Sequence, residues 1–151
     1  MRHTKIFVVR WSECDVNGHM RNTVYSEYGI ETRLCFLADY GFPYARMVEL
    51  GFGPVILREE LDYLRELHLG DTVEVDLTRL GLSPEGARFK LAHDFFRPGG
   101  KKAARIVLLG GWLDLRTRRL ASPPDELRKA MAGIPAGESY EELPPLRRSQ
   151  G

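Results

Sequence analysis

Cysteine is scarce in this chain: Cys14 and Cys35 are the only two in 151 residues. Two thiols cannot staple a small disulfide scaffold, and they read as reduced side chains of a cytoplasmic protein. Long apolar runs are missing too. No stretch approaches the roughly 18 to 20 residues that a membrane helix needs, and no charged-then-apolar leader opens the sequence. An excess of one charge is also lacking, since 22 Lys and Arg face 21 Asp and Glu for a formal net charge of +1. That balance gives no reason to expect nucleic acid or a membrane as partner, although local basic clusters can still hold a small phosphorylated ligand. What remains is an ordinary globular composition, 43% hydrophobic and 28% charged, on a chain long enough to bury a core unaided.

Residues 4–11 (TKIFVVRW) are β-branched and aromatic, which predicts a strand. A proline-free segment from Thr23 to Tyr40 follows and stops at Gly41 and Pro43, the signature of a helix end. Its apolar residues cover more than one narrow stripe, so burial on most sides is expected, as if a sheet wrapped around it. Gly29 within it costs about 1 kcal/mol relative to alanine, which argues for close packing at that point. Residues 43–50 add a short helix ended by Gly51. Residues 54–71 are ambiguous. Leu57, Leu61 and Leu64 suit a helical face, whereas Val55, Leu57, Glu59, Leu61 and Tyr63 alternate as a strand does. Strands are predicted at 71–80, 87–96 and 101–116, with Gly110-Gly111 marking a bulge or a close approach in the last. Pro123-Pro124-Asp125-Glu126 starts a further short helix. The order of elements predicts an α+β architecture, a single domain over residues 1–135 followed by a polar, proline-broken and loosely held tail over 136–151.

The chemistry concentrates in Ser12–Asn22, SECDVNGHMRN, between the first strand and the long helix. A helix N-terminus offers free N–H groups and a partial positive charge, and a carboxylate just before it can attack a carbonyl or deprotonate water. Asp15 has that spacing, with a turn-capping aspartate as an equal alternative on the residues alone. His19 can orient Asp15 or relay a proton, or merely satisfy nearby backbone. Gly18 permits a sharp turn. A reactive Cys14 with His19 as base is a lesser alternative. A metal site from Cys14, Asp15 and His19 lacks a second ligand cluster, so no metal is expected.

These residues carry a resemblance. VRWSECDVNGHMRNTVYSEYGIETRLCFLADYGF, with Trp11, Glu13, Asp15, Gly18, His19, Asn22 and Tyr25 at matching positions, resembles the signature of hotdog-fold acyl-CoA thioesterases of the 4-hydroxybenzoyl-CoA thioesterase type. LREELDYLRELHLGDTVEV is similar to that family's second strand, turn and third strand, and settles residues 54–68 as strand. The likeness covers residues 4–130. It implies a five- or six-stranded antiparallel sheet curled around one long helix, and a homo-oligomer, either a dimer or a dimer of dimers. The active site is then expected at a subunit interface near the helix N-terminus. The implied substrate is an acyl thioester of coenzyme A, or of acyl carrier protein, with no resident cofactor because coenzyme A belongs to the substrate. Asp15 becomes the nucleophile or general base, His19 its partner, and the Asn22 N–H the oxyanion donor. Gly18 and Tyr25 are expected beside the substrate, and Glu31, further along the helix, is the rival carboxylate unless an arginine pairs with it. Arg88 and Lys90, alternating on one strand, are expected to hold coenzyme A phosphates, with Arg97, Lys101, Lys102 and Arg105 clustered at the next turn. Two other readings stay open: a non-catalytic hotdog protein that binds acyl groups, and a hotdog hydratase or dehydratase, against which the Asp-x-x-Gly-His order speaks.

Overall fold

Period-two alternation gives one antiparallel sheet in the computed structural model, which describes residues 3–147. Residues 1–2 of the expected domain and 148–151 of the expected tail lie outside the described residues. The strands are β1 (His3–Val8), β2 (Phe52–Tyr63), β3 (Thr72–Leu82), β4 (Arg88–Phe96), β5 (Lys102–Asp114) and β6 (Arg119–Leu120). They lie in the order β1-β3-β4-β5-β2, with β6 added to β5. The helices are α1 (Asn22–Asp39), α2 (Tyr44–Leu50) and α3 (Asp125–Ala132). Val73, Val75 and Leu77 of β3 and Phe89, Leu91 and Phe95 of β4 share one buried core with α1. This is the α+β hotdog arrangement, a curled sheet with one long helix in its concave face. Among the described residues, no helix is long and apolar enough to cross a membrane.

The stop signal after α1 works as a cap. Gly41 takes φ +90°, its N–H bonds the Ala38 carbonyl at 3.0 Å, and the Phe42 N–H bonds Leu37 at 2.8 Å. That is a Schellman motif, which needs a left-handed residue after the helix. The ambiguous segment is strand as far as Tyr63 and irregular beyond it.

Three expectations change. The long helix is not buried on most sides: Val24, Tyr25, Tyr28, Thr32, Phe36 and Leu37 face the core, while Ile30 and Leu34 are 45% and 38% exposed. One chain's sheet can cover only one side of the helix. The bulge foreseen at Gly110-Gly111 lies in the facing strand, where the β2 register shifts between Ile56 and Arg58. Gly110 itself serves a close approach, since an added Cβ would stand 2.5 Å from the Phe89 ring and 2.6 Å from the Val55 carbonyl. The segment after Ala136 is not loose as far as Leu143. The N–H groups of Gly137, Glu141 and Leu143 bond the carbonyls of Arg79, Leu80 and Leu82 at 2.9 to 3.0 Å. The described part of β1 pairs with β3 only from Thr72 to Leu77, and this segment satisfies the backbone groups of β3 beyond it.

Candidate active site

The strand that enters the site ends in a short 3-10 turn, Trp11–Glu13, built around a buried acid. The Glu13 carboxylate accepts bonds from the Arg10 N–H and the Tyr28 hydroxyl, both at 2.9 Å. Burial alone pushes this carboxyl up, but the bonds from Arg10 and Tyr28 outweigh it and hold the group below its ordinary range. Phe7 stacks on Tyr28 with ring centroids 4.1 Å apart. The start of α1 is thereby tied to the end of β1.

Above this floor, the chain closes a tight loop. Cys14 bridges Met20, the Asp15 N–H bonds the His19 carbonyl at 2.9 Å, and the Gly18 N–H bonds the Asp15 carbonyl at 3.1 Å. Gly18 sits at φ +82° with open space where a Cβ would be, so backbone conformation alone demands glycine there. One oxygen of Asp15 accepts the Asn17 N–H at 2.9 Å. The other lies 3.5 Å from Nδ1 of His19, whose Nε2 is 3.8 Å from Glu66. Both side chains of the Asp15–His19 pair are a little over a quarter exposed, at 27% and 28%.

Asp15, His19, Asn22 and Tyr25 line one cleft of about 360 Å³, closed on the far side by Tyr63 and Glu66. Burial, and then the neighbouring Tyr63, Asp15 and Glu66, push the Tyr25 hydroxyl up to about 12, so it remains a donor. α1 begins here at Asn22, and its N-cap Arg21 supplies no side-chain cap. The Arg21 guanidinium instead binds the Ser12 carbonyl and, at 3.0 Å, the Thr23 hydroxyl. Asn22, the first residue of the helix, lines the cleft, and no side chain caps the helix start. A carboxylate oxygen, an imidazole, a phenol and a helix N-terminus converge within one cleft, the elements that acyl transfer needs.

The remaining expected residues lie elsewhere. Arg88 and Lys90 line a separate cleft on the outer face of the sheet, with Arg58 and Glu60. Glu31 is 60% exposed with Lys5 at 4.0 Å, and among the described residues no buried arginine pair forms, because its stripe of α1 points outward. Of the basic cluster at the next turn, Lys102 and Arg105 pair with Asp94 at 3.1 and 2.7 Å. The Cys14 sulfur lies 3.5 Å from the Arg10 carbonyl. Tyr63 and Glu66 were missed, since both fall where residues 54–71 were ambiguous and nothing in their spacing marks them. The sequence also concealed a buried centre behind α1. His93 is fully buried on β4, 2.7 Å from the Asp76 carbonyl through Nδ1 and 3.0 Å from the Arg33 guanidinium through Nε2. Gly29 makes room for it, as an added Cβ would stand 3.2 Å from the imidazole.

With this geometry in hand, residues 9–131 match the family model of the thioesterase-like superfamily. A provisionally assigned esterase of Aquifex aeolicus is 35% identical over 75 residues, which are 50% of this chain and 59% of that one. The match therefore spans less than two thirds of that relative's length. Among solved structures, a hypothetical protein of Staphylococcus aureus in complex with CoA superposes with a TM-score of 0.82 at 21% identity, covering 99% of this chain and 90% of that one. A 1,4-dihydroxy-2-naphthoyl-CoA thioesterase of Synechocystis gives 0.78 at 18% identity, with 88% and 97% covered. At such identities the structural likeness establishes the fold.

Proposed function

The chain belongs to the thioesterase-like superfamily, and from that premise we propose that it hydrolyses an acyl-CoA thioester to the free acid and CoA. The observation that carries this reading is the meeting of Asp15 and His19 beside the uncapped first turn of α1, in one cleft with Tyr25. Asp15 acts as nucleophile or general base through the oxygen that the loop leaves free. His19 holds that oxygen and can pass a proton onward to Glu66. The Asn22 N–H at the helix start receives the negative charge that develops on the thioester oxygen. One such donor contributes about 2.7 to 4 kcal/mol of transition-state stabilisation. Tyr25 offers a second donor at the cleft wall. No metal or resident cofactor enters the scheme.

The working unit is proposed to be a homo-oligomer, a dimer or a dimer of dimers. Supporting this, β2 is a terminal strand of the sheet, and Ile30, Leu34, Ile56 and Leu57 beside it expose apolar surface. Two-fold antiparallel pairing along β2 would bring the start of one β2 to the end of the other. The Arg88 end of one sheet would then adjoin the Asp15 end of its partner, which is how Arg88 and Lys90 could reach a CoA bound there. A monomeric mass by light scattering at micromolar concentration would overturn the oligomer. The activity is tested by offering the purified protein a panel of acyl-CoAs with a thiol-reactive dye. Release of free CoA is expected, and its absence across the panel favours the acyl-binding reading instead.

A further inference from the structure

Behind α1, separate from the Asp15 cleft, lies a cavity of about 210 Å³. Ile30 and Leu34 of α1, Ile56 of β2 and Phe89 of β4 are among its mostly apolar walls, which two polar groups interrupt. One is Trp112, fully buried, whose indole N–H has no acceptor among the described residues. Leaving a buried donor unmade is costly, and native structures rarely do so without a reason. The other is Arg33. Its guanidinium donates to His93, and among the described residues no carboxylate stands at ion-pair distance from it. Burial pulls Arg33 down to about 10, with Glu59 opposing at longer range, and the same burial, then Arg33 itself, holds His93 neutral. A purely structural role is poorly served by a desolvated cation backed by a neutral imidazole. A cation from α1 and an unpaired N–H from β5 in the lining of one apolar cavity call for a ligand with an apolar body and an anionic oxygen.

The size and the mouth narrow the choice. A dry cavity of about 150 Å³ admits benzene, so this one has room for a single ring or a chain of about six carbons, not a long fatty chain. Its exposed lining residues, Ile30, Leu34 and Ile56, are at the α1–β2 side. Under the two-fold β2 pairing described above, that side runs along the partner's β2 toward its Tyr63 end, which borders the partner's Asp15 cleft. We propose that this cavity receives the distal end of the acyl group, and that the substrate class is a short acyl thioester ending in a carboxylate, held by Arg33 and the Trp112 N–H. This rests on the thioesterase reading. A free carboxylic acid carries the same chemistry and is the other possible source.

The test compares adipyl-CoA with hexanoyl-CoA, which differ at the distal end alone. A preference for adipyl-CoA of at least about tenfold in kcat/KM is expected, the scale of one buried charge-assisted bond. Trp112→Phe keeps the ring and removes the donor, and should lower kcat/KM for adipyl-CoA several-fold more than for hexanoyl-CoA. Arg33→Met should abolish the preference, its fold checked by thermal melting. Equal turnover of the two thioesters, or a preference that Trp112→Phe leaves intact, overturns the acyl assignment. If no acyl-CoA of the wider panel is hydrolysed, the thioesterase reading fails by itself, and the cavity is judged on the Trp112 indole N–H resonance during titration with free adipate or hexanoate. A shift that is lost in Arg33→Met assigns the cavity to a free acid. A resonance that neither acid moves overturns the proposal.

Discussion

Two regions against α1 each hold one acid and one histidine. In the loop before the helix, Asp15 and His19 are more than a quarter exposed, and one Asp15 oxygen meets only His19. In the framework beneath and behind, Glu13 and His93 are buried and already engaged: one Glu13 oxygen accepts from Arg10 and Tyr28, while His93 donates through Nδ1 to the Asp76 carbonyl and accepts through Nε2 from Arg33. Residue type is the same; availability is not. A buried group already engaged by its neighbours serves to fix geometry, whereas one held loosely at a cleft can take up a substrate proton. The framework is therefore what keeps the loop in place, and the loop is where the reaction belongs.

The largest effect expected from breaking this comparison is on the open acid. Asp15→Asn keeps the size and most of the loop's bonds while removing the carboxylate. A fall in kcat of at least about a hundredfold is expected, the lower end of what a general base contributes. Folding and CoA binding should survive. Glu31→Gln, out on the exposed stripe of α1, should leave kcat within about twofold. If the two results are exchanged, the catalytic carboxylate is on the helix and the loop is structural.

The closed histidine should appear instead in stability against pH. His93 is lowered from its ordinary 6.5 to about 3, by burial first and then by Arg33. Between those values the unfolded chain takes up a proton that the folded chain refuses. Stability that is complete above pH 6.5 is therefore lost on the way down to about 3. One such group gives a slope of about 1.4 kcal/mol per pH unit. Chemical denaturation at successive pH values should show this loss, and His93→Gln should flatten it while lowering stability at neutral pH. An unchanged slope in the variant would mean that His93 is not the group responsible.

Glu13→Gln sharpens the same contrast from the acid side. The Arg10 and Tyr28 bonds fall on one oxygen, and the amide replaces that charged acceptor with a weaker neutral one while burying an NH2 group that has no partner there. A loss of about 1 to 3 kcal/mol is expected by denaturant unfolding, the cost of poorly satisfied buried groups. Because the Arg21 N–H bonds the Glu13 backbone carbonyl and not its side chain, the loop should persist and kcat should fall far less than in Asp15→Asn. A Glu13 variant as stable as the parent but without activity would place this acid in the reaction.

The contrast also explains what could be read from the sequence. Strand alternation and the Gly41 stop were local signals, and they marked most of the sheet and both ends of α1 to within a residue or two. Asp15, Gly18, His19 and Asn22 fall within one short stretch, so their convergence was legible from spacing and resemblance. Tyr63 and Glu66 reach the cleft only because β2 ends there, a tertiary fact with no local mark. His93 alternates with Leu91 and Phe95 along β4 and so faces inward, but its bond to Arg33 joins residues 60 apart in sequence. The segment after Ala136 looked loose because its partners are backbone groups of β3 beyond the stretch that pairs with β1, which side-chain patterns do not reveal.

A smaller effect than those at Asp15, His93 and Glu13 is expected at Arg88 and Lys90, which line a cleft separate from the loop. Lys90 is exposed and Arg88 half-buried on the outer face of the sheet, where water screens each charge. A contact of either with a CoA phosphate is worth about 0.2 to 1 kcal/mol, the range of exposed ion pairs. Such contacts bind ground state and transition state alike, so removing them should alter KM and leave kcat nearly unchanged. The double variant Arg88→Ala, Lys90→Ala should raise KM for an acyl-CoA by a few fold at low salt, and the difference from the parent should shrink as salt is added. A KM unchanged at low salt would release this pair from the nucleotide. It would leave Arg97 and Lys101 as the next cations to test, because the Asp94 carboxylate already engages Lys102 and Arg105.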